Sequence, residues 1–150
     1  MKSRILGLAL LLMVGFSNTF ANGFEGVSQK VIQSFQKEFS NAKDVKWETS
    51  KDFSKATFKL NDQVMFAYYA ENGDLLGVSR NIISSQLPIN LLNELKKSYN
   101  QYWITDLFEM AAGNETSYYV TLENSDAVTV LKSSGANGWE TYRKDKKVKE

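Results

Sequence analysis

The chain has 150 residues, 18 Lys and Arg against 17 Asp and Glu, nine Phe, seven Tyr, three Trp, and neither histidine nor cysteine. That composition excludes His-based triads, His general bases, cysteine nucleophiles, disulfides and thiolate metal sites. The near-neutral charge argues against a nucleic-acid partner, which normally meets a basic surface.

Residues 1–21 read as a signal peptide. Lys2 and Arg4 precede an apolar run from Ile5 to Phe16, and Thr19 and Ala21 supply small residues at the −3 and −1 positions of a cleavage site. The run is nearer 12 residues than the roughly 20 of a spanning helix, so no stable membrane insertion is expected after cleavage. Removing this segment takes two basic residues and no carboxylate, which turns the formal charge from +1 to −1. The expected location is periplasmic or secreted. Without disulfides, stability must come from apolar burial, to which the aromatic residues contribute heavily.

In residues 22–80, Val27, Val31, Ile32, Phe35 and Phe39 recur at three- and four-residue spacing, which predicts a helix from about Val27 to Phe39. AKDVKWE follows as a strand in which Val45 and Trp47 alternate with Lys46 and Glu48. The next strand covers Lys55 to Leu60, and Asn61–Asp62 is a turn signal. Gln63 to Ala70 is its partner, with Val64, Phe66 and Tyr68 on one face and Met65, Ala67 and Tyr69 on the other. Asn72–Gly73 is the strongest hairpin signal, because both residues tolerate positive φ. Leu75, Leu76 and Val78 begin a further strand.

A linker at 81–86 leads to a second unit, 87–143, that echoes the first. Pro88 suits a helix's first turn, Leu87, Leu91, Leu92, Leu95 and Tyr99 form the apolar face, and Lys96 and Lys97 favour its C-terminal end. Strands are expected at Trp103–Met110, around Tyr118–Leu122, at Ala127–Leu131 and at Trp139–Arg143. The turns between them contain Gly113, then Glu123–Asp126, then Ser133–Gly138. Residues 144–150 read as a charged, solvated, frayed tail. The expected fold class is α+β: tandem helix-plus-antiparallel-sheet repeats, with helices packed on one face of the sheet.

No catalytic constellation emerges, so no enzyme, cofactor or metal is expected. Glu71 and Asp74 flank a turn, but two carboxylates fall short of the six to eight oxygens of a calcium site. Surplus aromatics are the chief functional signal. With Met65, Ala67 and Tyr69 under the helix, Phe66 and Tyr68 fall on the opposite face, Tyr119 is their rough counterpart, and Trp139 follows a flexible loop. Such rings can anchor a protein or peptide with little entropy loss. The alternatives are packing of the rings against each other, against the other unit or across a homodimer contact.

VIQSFQKEFSN, AKDVKWE and FKLNDQVMFAYYAENGDLLG together resemble the PepSY-like family of exported bacterial proteins, related in fold to the beta-lactamase-inhibitor protein architecture. The features carrying the resemblance are Asn41–Ala42, Val45–Trp47, Ala67–Tyr69 and Asn72–Gly73. It is weaker over 87–143, where TDLFEM and AVTVLKSS replace the Trp-bearing and Ala-Tyr-Tyr segments. The resemblance implies an exported module that binds or inhibits proteins, and it supplies no catalytic residues. The functional expectation is a non-enzymatic exported binding or inhibitor-like module contacting an unknown protein or peptide through its sheet face. Its alternative is a structural or envelope-stress accessory protein that self-associates through the same face. A small-molecule carrier would need an apolar cavity, where the large side chains suggest a filled core.

Overall fold

The computed structural model describes residues 26–148, so the signal-peptide assignment to 1–21 lies outside the described residues. Within them, strands and helices form in the order α1 (Gln29–Glu38), β1 (Lys43–Thr49), β2 (Ser54–Leu60), β3 (Gln63–Tyr69), β4 (Leu75–Asn81), α2 (Ile89–Ser98), β5 (Trp103–Ala112), β6 (Glu115–Glu123), β7 (Ala127–Ser133) and β8 (Glu140–Lys146). A short 3-10 turn, Ser84–Gln86, precedes α2.

The strands follow chain order in one eight-stranded antiparallel sheet, β1 through β8. This corrects the expected tandem helix-plus-sheet repeats. Two helix patterns, each followed by strands, suggested two repeated units and left open whether their strands join. In the structure β4 is bonded on both sides, to β3 and β5, so no strand edge is left in the middle of the chain. An unpaired edge exposes a row of unmet N–H and C=O groups, and continuing the ladder removes it. The described residues divide into two compact units, with the boundary between Val78 and Ser79, inside β4.

In the first unit, α1 starts at Ser28, whose hydroxyl oxygen accepts from the Val31 N–H at 3.3 Å and donates to the Glu71 carbonyl at 2.8 Å. This satisfies one of the donors left over in a helix's first turn. Val31, Ile32 and Phe35 are the buried face. The Phe35 ring meets Trp47, Phe58 and Tyr69 edge-on, at centroid distances of 5.2, 5.0 and 6.4 Å. Ala56, Ala67 and Met65 complete this core, so the odd-numbered face of β3 does lie under the helix.

Two turns differ from expectation in how they form. At Asn61–Asp62 both residues take positive φ, 49° and 63°, as a two-residue hairpin turn requires. At Asn72–Gly73 only Gly73 does so, at 92°. There the Gly73 N–H donates to Ala70 O and the Ala70 N–H to Asp74 O, both at 2.9 Å, while the Asn72 side chain braces Asp74. A Cβ on Gly73 would stand 2.9 Å from the Lys30 carbonyl, so this glycine is also what lets the turn approach α1.

In the second unit, Leu91 and Leu95 of α2 pack with Leu107, Val120, Leu122, Leu131 and Trp139. β5 and β6 are longer than expected and meet in a tight turn at Gly113–Asn114, where Gly113 has φ 60°. β8 runs to Lys146, paired with Ala127, and the Lys147 N–H donates to Asp126 O at 2.8 Å. Residues 144–146 are therefore strand where a frayed tail was expected. Charged side chains suit an edge strand, because both of its faces and one backbone edge meet water.

Candidate functional site

The sheet face turned away from α1 is laid out by register. Lys55, Thr57 and Lys59 of β2 stand opposite Tyr68, Phe66 and Val64 of β3. Along β3 exposure falls steadily: Val64 is 44% exposed, Phe66 is half-buried and Tyr68 is buried. Phe53 meets the Tyr68 ring edge-on at 5.6 Å. The Lys55 ammonium lies 5.0 Å from the Phe66 centroid and 3.1 Å from a Glu48 carboxylate oxygen. A cation above a ring face gains electrostatically from the ring quadrupole. The result is a ring pinned by a lysine, beside an exposed valine.

In the second unit, Tyr119 stacks on Phe108 of β5, its register partner, at 4.9 Å and 12°. Tyr142 of β8 meets Tyr119 edge-on at 5.7 Å, and the Lys132 ammonium of β7 lies 5.6 Å from its ring centroid. These residues occupy the face opposite α2, since Val120 and Leu122, next to Tyr119 in alternation, belong to the α2 core. Burial, with a smaller effect of Tyr142, raises the Tyr119 hydroxyl's pKa, and burial also raises that of Tyr142. Desolvation likewise raises the Asp106 carboxyl, against a lowering hydrogen bond from the Leu107 backbone.

Of the four residues singled out in the sequence, then, Phe66 alone is partly accessible. Tyr68, Tyr119 and Trp139 are buried within the chain. Trp139 sits in the α2 core, its indole N–H donating to the Leu91 carbonyl at 3.0 Å and its backbone N–H to Glu94 at 3.1 Å. Phe66 and Tyr68 do share the face opposite α1, as alternation implied. Phe108, Tyr142, Lys132 and Val64 were not singled out. Alternation through β5 could have found Phe108, because an inward Leu107 places its neighbour outward.

Among the described residues no group of three or more His, Cys, Asp or Glu could hold a metal ion. Nor is any helix among them long and apolar enough to cross a membrane.

Comparison with known proteins identifies the fold. The chain resembles a BLIP-like protein from Bacteroides fragilis at TM-score 0.70 and 22% identity, over 83% of this chain and 89% of that one. A DUF2874 family protein from Bacteroides uniformis matches at TM-score 0.69 and 12% identity, over 79% and 88%. A provisionally periplasmic protein from Bacteroides eggerthii matches at 0.68 and 10%, over 80% and 88%. The fold is BLIP-like. No protein-family profile and no curated protein matches the sequence.

Proposed function

We propose that this chain is a non-enzymatic, exported, PepSY-like module that contacts a protein or peptide through the sheet face turned away from the helices. The observation that carries the reading is the surplus of rings on that face, beyond those used by either helix-covered core: Phe66 and Tyr68 in the first unit, Phe108, Tyr119 and Tyr142 in the second. Direct contact falls to Phe66 and the exposed Val64, while Tyr68, buried on the same face of β3, is braced edge-on by Phe53. A rigid aromatic surface limits the side-chain entropy lost on association. Export is supported by the composition of residues 1–21, and the BLIP-like fold is compatible with a binding role.

The test is capture of partners from envelope extract with the wild-type chain and with a Val64→Asp/Phe66→Ala variant whose circular dichroism matches wild type. The expected outcome is loss of the captured partner in the variant. Full retention overturns the assignment of the face. Sedimentation of the two proteins addresses the self-associating alternative: a stable wild-type dimer that the variant abolishes would establish it instead.

A further inference from the structure

Beside β1, the edge strand among the described residues, lies a cleft of about 280 Å³ lined by Ile32, Phe35 and Gln36 of α1, Phe39, Ser40 and Ala42 just after it, and Val45 and Trp47 of β1. Among the described residues no strand lies beyond β1, and Val45 of β1 is 36% exposed. The volume falls just short of the roughly 300 Å³ at which drug-sized ligand pockets begin, and suits one large side chain.

Three further features bear on what enters it. First, alternate residues of an edge strand direct their N–H and C=O groups away from the sheet, where they can pair with an added strand. Second, Trp47 is 7% exposed, yet its indole N–H has no hydrogen-bond partner, and neither has the nearby Tyr69 hydroxyl. A buried donor left unmet costs free energy that a backbone carbonyl of an added strand would recover, an apolar side chain having no acceptor to offer. Third, the edge carries exposed cations. Asp44 pairs with Lys59 at 2.9 Å and Glu48 with Lys55, whereas the exposed Lys43 and Lys46 make no salt bridge among the described residues and act on Asp44 only at longer range.

We infer that the β1 edge is a peptide-docking site: an extended acidic segment adds as a strand alongside Lys46–Thr49 and places one large apolar side chain in the cleft between α1 and β1. The kink between Lys43 and Lys46, where the β1–β2 register shifts, limits the regular edge to the stretch from Lys46 onward. Lysines and a kink also serve to keep an edge from pairing with other copies of a chain. The cleft and the unmet donor distinguish a docking edge from one that is merely guarded. This site is separate from the sheet face of Val64 and Phe66, and either can fail without the other.

The test is titration of the 15N-labelled protein with the peptides Glu-Thr-Phe-Thr-Glu, Glu-Thr-Leu-Thr-Glu, Glu-Thr-Ala-Thr-Glu and Lys-Thr-Phe-Thr-Lys, followed by NMR. Saturable shifts are expected at the Trp47 indole and the amides of 45–49 for the Phe and Leu peptides. The Ala peptide should bind about tenfold more weakly or worse, as expected for losing a buried large apolar side chain. The lysine-flanked peptide should also bind more weakly, and Lys43→Glu/Lys46→Glu, a surface change that leaves the core intact, should invert that preference. The inference is overturned by no saturable binding of the Phe and Leu peptides, by shifts confined to Val64 and Phe66, or by equal affinity of the Phe and Ala peptides. It is also overturned if β1 edge amides are already protected from exchange in the free protein, or if self-association moves the same resonances, since the edge is then filled by the chain itself or by a second copy.

Discussion

Tyr69 shows how one atom shapes stability. The ring is 1% exposed and packs in the α1 core, but its hydroxyl has no hydrogen-bond partner. Burial, assisted by Glu38, pushes its pKa up to about 12 from 10. Between these values the unfolded chain has released the proton and the folded chain has kept it. Stability is therefore full below pH 10 and falls as pH rises toward 12, by on the order of 2–3 kcal/mol over that window. Tyr69→Phe should raise stability at pH 7 by about 1 kcal/mol, because an unmet buried hydroxyl is removed. It should also flatten the alkaline decline, and urea melts at pH 7, 10 and 11.5 measure both effects. Two of the four positive-φ glycines among the described residues offer a contrast. Gly73→Ala meets both a strained φ and a backbone oxygen 2.9 Å away, whereas Gly113→Ala meets the strain alone, with nothing within 4 Å. The Gly113 variant should lose about 1–2 kcal/mol, and the Gly73 variant clearly more, in parallel thermal melts. Neither difference could be read from the sequence, where both are simply turn glycines.

At the scale of elements, periodicity located both helices to within two residues, because an apolar stripe at 3.6-residue spacing lines up on one side of a helix and scatters over both faces of a strand. Their energetics follow from what they touch. Ser28→Ala removes the N-cap of α1 and its bond to Glu71, and should cost about 1 kcal/mol in chemical denaturation. Phe35→Ala should cost about 3–5 kcal/mol, since Phe35 touches four other rings and its loss leaves a void. Strand faces were legible wherever alternation was clean, as in β2 and β6. Strand ends were not. β8 outran its expected end because a charged edge strand is patterned like a solvated tail, and only its pairing with β7 tells them apart.

For the whole molecule, export is the claim most directly checked: mass spectrometry of the protein from a periplasmic fraction should find Asn22 at its N-terminus. The residues by themselves determined a good deal. They ruled out His and Cys chemistry, fixed two amphipathic helices and an antiparallel strand succession, and put Phe66 and Tyr68 on one shared strand face, since each of these follows from composition or local periodicity. Tertiary structure alone decided that the strands make one continuous eight-stranded order instead of tandem repeats, because strand pairing joins residues far apart in sequence. It decided that Tyr68, Tyr119 and Trp139 are buried, because burial depends on which neighbour covers a face and not on which way the face points. It also decided that α1 and β1 line a cleft beside an unmet indole N–H, since a cleft exists only between elements that the sequence keeps apart.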